Sequence, residues 1–508
     1  MASFHIENFG CRAARADGEA IGARLAGLGQ HSARQFSEAD VVVVNTCTVT
    51  AEADRQARAF IRRANRLNPA AKIVVTGCYA QRAPTELARI TGVAAVVGNS
   101  HKALAPEIIC NLAAGSKTSA PPPGDFVSVQ SLLVPRSSAV RIWADDEFAH
   151  TFIEETQLVP GAQTRPNLKI QEGCGNRCTF CVIPFTRGPS RSLAFHSVIR
   201  QVEGFVAAGG NELVLSGINL GRWGRDLPST GPLGSDSWPP TLSAKNRGKD
   251  GAPVLSDLVR HIITRTTLPR LRLSSIEPMD WDDELMGLMA EFAVPETAPD
   301  TRGPRLARHA HLPLQSGSDA VLRRMHRRYR PWHYAAKVEA LMRAAGPLLT
   351  LGADVMAGFP GETDAEFDET VAFIRALPFG YLHLFPFSPR PGTRGWALHA
   401  ESPVRAEVVE NRMNVLRALA KEKSLAHRAR MMGRELAAIT LHTRPALAAC
   451  GKTEALTENF LPVELEGTYD ANVLVRVVVD GLTTEGALAA RPASPAESAP
   501  LLAAAAAG

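Results

Sequence analysis

The segment EGCGNRCTFCVIPFTRG, residues 172–188, holds three of the eight cysteines in this 508-residue chain, Cys174, Cys178 and Cys181. Metal sites held by protein alone commonly have four ligands, so one coordination position is left for a ligand from elsewhere. One interpretation is a zinc site with His196 as a distant fourth ligand. The other is an iron–sulfur cluster with one uncovered iron, since the sequence has no second short cysteine group of the kind that zinc ribbons pair.

The thiol segment overlaps the first of six strand-like runs, which are separated by helical patterns. These runs are residues 167–174, 212–219, 271–278, 310–318, 351–362 and 381–392. Six β–α repeats predict a partial (β/α)6 barrel within residues 161–400, with its functional site at the carboxyl ends of the strands. The Gly-, Pro- and Ser-rich run 225–253 predicts a surface insertion in this domain.

The first 115 residues alternate apolar runs with amphipathic stretches, which predicts an α/β domain with a Rossmann-like parallel sheet. Its strand-like runs SFHIENFGC, DVVVVNTC and KIVVTGC end in Cys11, Cys47 and Cys78. The carboxyl ends of parallel strands meet at one edge of a sheet, so we expect these three thiols to converge there. Three unrelated buried thiols are the alternative, because free cysteine is often buried.

The other segments differ in composition from these two domains. Residues 116–160 predict a Pro- and Ser-rich linker, 401–432 a charged connecting helix, 433–488 a small antiparallel β-barrel, and 489–508 a disordered tail.

Composition and charge limit the class of protein. An apolar share of 45% argues against global disorder, and no run reaches the roughly 18–20 consecutive apolar residues of a membrane span. The N-terminus lacks the pattern of a secretory signal, so we expect a cytoplasmic protein. The formal charge of +5 is small, but arginine is concentrated at residues 55–66 and 323–330. Phosphate contacts and solvated helix faces are both open interpretations of these two runs.

The spacing Cys-x-x-x-Cys-x-aromatic-Cys, with Phe180 as the aromatic residue, resembles the signature of the radical S-adenosylmethionine (SAM) enzymes. The resemblance implies that the three thiolates hold a [4Fe-4S] cluster and that SAM occupies the fourth iron. It assigns no catalytic residue beyond the cluster ligands. It also implies SAM contacts from Gly209, Gly210 and Glu212 of GGNE and from Ser275 and Glu277 of LSSIEP.

Three strand-end cysteines, a radical SAM barrel and a small C-terminal β-domain together resemble the methylthiotransferases over nearly the whole chain. This resemblance implies that Cys11, Cys47 and Cys78 hold a second, auxiliary [4Fe-4S] cluster. It also implies that residues 433–488 form a TRAM-like RNA-binding domain. An external one-electron donor, flavodoxin-like or ferredoxin-like, is implied as the reductant of the SAM cluster.

The stretches NTCTVTAEADRQARAFIRR, HLPLQSGSDAVLRRMHRRY and FPFSPRPGTRG are most similar to the MtaB-type enzymes of that family. The implied reaction is methylthiolation of carbon 2 of N6-threonylcarbamoyladenosine next to the anticodon of tRNA. Isopentenyladenosine in tRNA and an aspartate of a ribosomal protein are alternative substrates. A zinc-containing, non-enzymatic RNA-binding protein is the alternative from another class. We expect the tRNA anticodon loop as partner, no membrane association and a monomer.

Four positions lie outside this pattern. Where this chain has Ala14 and Gly18, the family's first motif generally has Asn and often Ser, so the surroundings of the auxiliary cluster are in question. Cys110 and Cys450 belong to neither group of thiols, and we expect them to bind no metal.

Overall fold

The chain forms two compact units. The first comprises Met1–Gln157, Glu172–Arg191 and Ser388–Trp396, and the second Leu158–Gln171, Ser192–Phe387 and Ala397–Gly508. The computed structural model describes residues 2–113, 140–148, 153, 158, 164–228, 252–294 and 303–493. Within these ranges, no helix combines the length and the apolar character that crossing a membrane requires.

A six-stranded sheet forms the centre of the first unit, in the order β2-β1-β3-β4-β5-β6. Its strands are β1 Ser3–Asn8, β2 His31–Ser32, β3 Val41–Thr46, β4 Lys72–Gly77, β5 Val93–Gly98 and β6 Arg141–Trp143. The helices of this region are Arg12–Gly27, Ala51–Leu67, Cys78–Arg82, Pro84–Ala88 and Ala105–Ala113. All neighbouring strands run parallel, which confirms the predicted Rossmann-like sheet.

The sequence of β3 is continuously apolar because helices cover both faces of the sheet. Val42 lies in one apolar cluster with Ile61 of the helix Ala51–Leu67. Its neighbour Val43 lies in a second cluster with Ile21, on the opposite face. Successive side chains of a strand point to opposite faces, so a strand buried on both sides needs apolar residues throughout.

The prediction of a linker over residues 116–160 is wrong in part. Arg141–Trp143 pairs in parallel with β5 and adds a sixth strand to the first sheet, because Ile142 supplies an apolar side chain to one of its cores. Residues 116–139 lie outside the described ranges.

Six parallel strands of the second region follow one another around a partial barrel. They are β7 Asn167–Glu172, β9 Glu212–Gly217, β10 Arg270–Leu273, β11 His309–His311, β12 Thr350–Ala357 and β13 Phe379–Pro386; a two-residue strand, β8 Arg191–Ser192, lies beside β7. Single β-bridges, Leu271 to Leu306 and Ser275 to His311, join β10 to the β11-β12-β13 sheet. This arrangement confirms the predicted (β/α)6 barrel.

Helices alternate with these strands. They are Ile183–Arg187, Phe195–Ala207, Leu255–Arg265, Asp283–Phe292, Asp319–Arg324, Pro331–Ala345, Asp364–Ala376 and Arg394–Glu401. Most of the predicted insertion 225–253 lies outside the described residues.

The connecting helix spans Ala406–Ala429 and leads into a closed five-stranded barrel, as predicted. Its strands are β14 Glu435–Thr440, β15 Lys452–Thr457, β16 Pro462–Glu466, β17 Leu474–Leu482 and β18 Leu488–Pro492, and a short helix, Pro445–Ala448, precedes β15.

Two details of the predicted β-domain are corrected. The barrel is not wholly antiparallel, because β16 and β18 pair in parallel. The disordered tail does not begin at residue 489, because Leu488–Pro492 is a barrel strand whose first residue, Leu488, is fully buried.

The loop after β15 enters the interior of the six-stranded barrel. The Phe460 ring centroid lies 4.5 Å from that of His309 and 5.8 Å from that of Tyr381, while the Arg272 guanidinium carbon lies 5.3 Å from the same ring. β11 and β12 separate the strands of Arg272 and Tyr381 in the sheet. Side chains from these strands meet at one ring only if they point into the barrel. The interior is therefore polar and is closed at one end by the β-domain.

Candidate metal centres

The first group of thiols lies at the carboxyl ends of three adjacent strands, β1, β3 and β4. Cys11 precedes the helix Arg12–Gly27, Cys47 follows β3, and Cys78 begins the helix Cys78–Arg82. Cys47 and Cys78 are buried and Cys11 is exposed. Burial, together with the nearby charges of Cys78 and Cys11, raises the pKa of Cys47 to about 12.

Two glycines allow this approach. A β-carbon on Gly10 would lie 2.3 Å from the Cys47 β-carbon, and one on Gly77 would lie 2.4 Å from the Thr46 carbonyl oxygen. Both glycines have positive φ angles, 102° and 95°, which other residues rarely adopt. The residue before Cys11 and the residue before Cys78 are thus glycine because the chain passes directly against the end of β3.

The positions of Ala14 and Gly18 are explained by two asparagines. A β-carbon on Gly18 would lie 1.9 Å from the Asn8 side-chain oxygen, so Asn8 fills that space. Asn45 donates hydrogen bonds from its amide nitrogen to that oxygen, at 2.9 Å, and to the Ala14 carbonyl oxygen, at 2.5 Å. The polar groups beside this thiol group therefore come from the strands β1 and β3.

The second group of thiols lies on the loop between β7 and the helix Ile183–Arg187. Cys174, Cys178 and Cys181 are all partly exposed. The Cys174 amide donates to the Gly188 carbonyl at 3.1 Å, and the Cys181 amide donates to the Cys178 carbonyl at 3.1 Å. The first bond joins the two ends of this segment, and the second forms a turn between Cys178 and Cys181.

The donor sets fit a cluster better than a single ion. Among the described residues, the one group that brings three ligand atoms within 4.8 Å of one another is His311, Asp354 and His383. Neither thiol group does so, and no such group includes His196. A single zinc ion binds its ligands at about 2.0–2.3 Å and so holds them close together, whereas a four-iron cluster spreads its thiolates farther apart. Three soft thiolates in each group suit iron–sulfur ligation.

A network of buried charges lies beside Cys78. Arg187 donates to Asp17 at 3.0 Å and to Glu172 at 2.6 Å, and Lys102 donates to the same carboxylates at 3.2 and 2.6 Å. All four charged residues are buried. Burial alone would lower the pKa of Arg187, but the negative charges around it, that of Cys78 foremost, hold this pKa above its usual range.

A polar cluster lies inside the six-stranded barrel, on β11, β12 and β13. The His311 Nε2 atom lies 3.2 Å from Asp354 Oδ2, and the His383 Nδ1 atom lies 3.3 Å from Asp354 Oδ1. The Tyr381 hydroxyl lies 2.9 Å from His311 Nδ1 and 2.8 Å from His309 Nε2. Burial raises the pKa of Asp354, but its hydrogen bonds from the two imidazoles outweigh this effect and hold it well below the usual range. Asp354 is therefore a carboxylate.

Residues 3–98 match the model of an uncharacterized protein family, UPF0004. The chain is 31% identical to the threonylcarbamoyladenosine tRNA methylthiotransferase MtaB of Aquifex aeolicus, over 93% of this chain and 99% of that protein. It is 33% identical to MtaB of Bacillus subtilis, over 92% of each chain. The chain belongs to the radical SAM methylthiotransferase family.

Membership of this family makes the protein an enzyme of the transferase class and confirms the resemblance seen in its motifs. The chain is also 30% identical to the tRNA-2-methylthio-N(6)-dimethylallyladenosine synthase of Novosphingobium aromaticivorans, over 85% of both chains. Among solved structures, the radical SAM methyltransferase TsrM of Kitasatospora setae is similar at 16% identity and a TM-score of 0.49, over 79% of this chain and 78% of that one.

Three of the SAM contacts implied by the radical SAM resemblance lie at the wrong end of their strand. Gly209 and Gly210 end the helix Phe195–Ala207, with their amides bonded to Val206 and Phe205 carbonyls, and Glu212 begins β9. They therefore lie at the amino end of this strand, whereas parallel barrels bind ligands at the carboxyl ends. On its own a Gly-Gly pair is more often a helix C-cap, and here it is one.

Glu212 has a structural role. Its carboxylate is fully buried and pairs with Arg272 at 2.8 Å, Arg270 at 3.3 Å and Arg165 at 3.5 Å. Burial raises its pKa, but the three guanidinium groups outweigh that effect and lower it to about 2. With three cations around it, Glu212 has no need of a ligand.

Ser275 and Glu277 follow β10 and so lie at its carboxyl end. Ser275 forms a β-bridge with His311, which brings it beside the polar cluster. Burial raises the pKa of Glu277, and the charge of Arg327, bound at 2.5 Å, partly opposes this rise. These two positions remain candidate SAM contacts.

Two candidate ligand contacts escaped the sequence analysis. Asn219 follows β9 and Gln315 follows β11, and both have left-handed φ angles, 56° and 63°. The side-chain oxygen of each is buried without a hydrogen-bond partner among the described residues. Buried acceptors of this kind usually have a donor, so each oxygen is a candidate acceptor for a bound ligand. Both residues lie near the carboxyl ends of the predicted strand-like runs 212–219 and 310–318, and this position was the available signal.

Proposed function

We propose that this methylthiotransferase converts N6-threonylcarbamoyladenosine, next to the anticodon of tRNA, into its 2-methylthio derivative. The observation that carries the proposal is the identity of 31% to Aquifex MtaB along 99% of that protein. The tRNA-2-methylthio-N(6)-dimethylallyladenosine synthase of Novosphingobium aromaticivorans matches a smaller part of this chain, 85%.

The two groups of thiols define the cofactor sites in this proposal. Cys174, Cys178 and Cys181 hold a [4Fe-4S] cluster whose fourth iron binds SAM, and Cys11, Cys47 and Cys78 hold a second [4Fe-4S] cluster. When bound, the clusters and SAM supply a radical that removes hydrogen from carbon 2, and the sulfur and methyl group that replace it. The protein contributes the dry, oriented site that such chemistry requires.

The carboxyl edge of the six-stranded barrel supplies the contacts to SAM. Ser275 and Glu277 lie at the end of β10. The side-chain oxygens of Asn219 and Gln315, which have no hydrogen-bond partner in the part of the chain that the structure describes, lie after β9 and β11. SAM carries an ammonium group and an adenine amino group, which are donors that these acceptors need. The four residues orient SAM without forming a covalent bond to it.

The polar cluster inside the barrel favours threonylcarbamoyladenosine over the isopentenyl form. The threonylcarbamoyl group carries a carboxylate and a hydroxyl, whereas the isopentenyl group is a hydrocarbon. The His383 side chain is 62% exposed and the Asp354 side chain 25%, so both are accessible to a polar ligand. A site built to hydrogen-bond a polar group strongly rejects an analogue that lacks it, because its own polar groups would remain unpaired.

The proposal also includes the partners of the enzyme. The β-barrel Glu435–Pro492 and the arginine-rich helix Ala51–Leu67 contact the tRNA backbone, so affinity for tRNA falls as salt rises. An anticodon-loop base is unpaired, so placing it in the barrel costs little. The electron comes from a flavodoxin-like or ferredoxin-like donor, and the protein works as a cytoplasmic monomer.

The test is mass spectrometry of tRNA nucleosides from a strain that lacks this protein. We expect the methylthio form of threonylcarbamoyladenosine to disappear and its precursor to accumulate. The wild-type chain and the Cys450→Ser variant should both restore the modification, while Cys178→Ala should not. Loss of the dimethylallyl form instead would assign the other tRNA substrate, and unchanged tRNA would overturn the proposal. A colourless protein with bound zinc would support the non-enzymatic alternative.

A further inference from the structure

The Cys78 sulfur accepts two side-chain hydrogen bonds. Arg187 donates from Nε at 3.2 Å, and Asn99 donates from Nδ2 at 3.4 Å. Cys78 and both donors are at most 2% exposed. A hydrogen bond to a thiolate is strongest where water cannot compete, so these two contacts act on the sulfur with little screening.

The two donors are fixed in place by contacts that do not involve the sulfur. The Arg187 guanidinium is clamped by Asp17 and Glu172, and Lys102 bridges the same two carboxylates. The Asn99 amide also donates to the Thr186 carbonyl at 2.7 Å, directly before Arg187 in the chain. Both donors therefore have one orientation, which is directed at Cys78.

Burying this charge network has a free-energy cost, which indicates that the network has a specific role. Two cations and two carboxylates are removed from water together, and such groups commonly stabilise a fold no better than apolar residues of the same size. Their formal charges cancel, so the network adds no net charge beside the thiols. What it adds is a guanidinium donor of fixed direction at one sulfur.

We propose that Arg187 and Asn99 raise the reduction potential of the cluster bound through Cys78. This inference rests on the proposed assignment of a second cluster to Cys11, Cys47 and Cys78. Reduction adds one negative charge to a cluster, and part of that charge lies on its thiolate ligands. Hydrogen-bond donors to the sulfur of a thiolate ligand stabilise the reduced cluster more than the oxidised cluster, so the reduction potential of the cluster rises. Asp17, Glu172 and Lys102 are positioning residues for this effect.

The test uses the full-length chain with Cys174, Cys178 and Cys181 replaced by alanine, which leaves only the cluster in question. After anaerobic reconstitution, a potentiometric titration followed by electron paramagnetic resonance gives its midpoint potential. Arg187→Lys keeps the charge but loses the fixed Nε donor, and Asn99→Ala removes a neutral donor. We expect both variants to bind full iron and to have a lower midpoint potential than the parent. Arg89→Lys makes the same change at an exposed arginine outside this network, so its potential should equal that of the parent.

The outcomes separate the two proposals. If Arg187→Lys and Asn99→Ala bind full iron at the parent potential, the inference is overturned while the cluster assignment stands. If Arg187→Lys fails to fold, Asn99→Ala alone decides, since an unchanged potential there also overturns it. If the parent with three alanines binds no iron, the assignment of a second cluster fails, and this inference fails with it.

Discussion

Gly10 lies against Cys47 so closely that a β-carbon on Gly10 would come within 2.3 Å of the Cys47 β-carbon and 2.7 Å of its sulfur. The chain turns there with a φ angle of 102°, and Cys11 follows immediately. One glycine thus allows the turn that carries Cys11 to pass directly against Cys47.

Replacing Gly10 with alanine should disrupt the first group of thiols. The added methyl group displaces Cys47 or the turn that carries Cys11, so we expect reconstituted iron to fall by about half, the share of one of two equal clusters. Iron and sulfide analysis measures this. Gly29→Ala is the matched control, because Gly29 also has a positive φ angle, 78°, but open space around it. Equal iron in the two variants would contradict the role of Gly10.

The buried ion pair between Arg308 and Glu458 should anchor the β-domain to the six-stranded barrel. Both side chains are at most 5% exposed. Glu458→Gln leaves a buried guanidinium without its counter-charge, so we expect a loss of unfolding free energy of about 3 kcal/mol. Glu435→Gln changes an exposed pair, Arg476 with Glu435, and should cost less than about 1 kcal/mol. Urea unfolding of both variants gives the comparison, and similar losses would show that the pair anchors nothing.

The strand pattern and the cysteine positions could be predicted because each is local. A continuous run such as Val41–Val44 indicates a strand buried on both faces, and the position of Cys47 after it follows directly. The GGNE segment was assigned wrongly because the contacts that decide its role are not local. Locally it looks like a ligand loop, and the three arginines that neutralise Glu212 come from residue 165 and from another strand.

The charge network around Arg187 lay beyond sequence analysis for a related reason. Asp17 lies 170 residues before its partner Arg187 in the sequence. Lys102, which donates to Asp17, lies 85 residues after it. No periodicity connects such positions. Only the sheet brings the helix Arg12–Gly27 and the segment around Lys102 beside the thiol loop.

Substitutions in the polar cluster should weaken the reaction on threonylcarbamoyladenosine. His383→Leu removes an exposed imidazole, and Asp354→Asn removes the carboxylate that orients it. We expect at least a tenfold loss of methylthiolation, which corresponds to about 1.4 kcal/mol. Nucleoside mass spectrometry of complemented strains measures it. His333→Leu, on the exposed surface of the helix Pro331–Ala345, is the control and should retain activity. Wild-type activity of both cluster variants would contradict the proposed role in recognition.

Cys110 and Cys450 should bind no metal. Cys110 is partly buried against an apolar cluster in the helix Ala105–Ala113, and Cys450 is exposed in a turn. Replacing both with serine should leave iron content and the visible absorption spectrum unchanged. A fall of iron by about half would show that one of the six assigned ligands is wrong, because one of two equal clusters would be lost.

The stability of the second unit should fall in mild acid because of His427. Burial, together with the charges of Arg430 and Arg428, lowers the pKa of His427 from 6.5 to about 4. Its ring lies 2.7 Å from the Thr350 hydroxyl and 2.6 Å from Arg430 Nη2, so the folded protein favours the neutral imidazole. The unfolded chain binds a proton below pH 6.5 and the folded chain resists it. The stabilisation is therefore complete above pH 6.5 and declines as the pH falls toward about 4.

Urea unfolding of the metal-free protein near pH 7 and near pH 5 should show this decline, with a contribution from His427 of about 2 kcal/mol. His427→Gln loses the packing and the hydrogen bonds, so it is less stable near neutral pH, but the part of the decline due to this residue disappears. His333→Gln, which changes an exposed imidazole, should decline as the wild type does. If His427→Gln loses as much stability between the two pH values as the wild type, the acid sensitivity arises elsewhere. A smaller loss in that variant alone identifies the contact between the connecting helix and β12 as acid-labile.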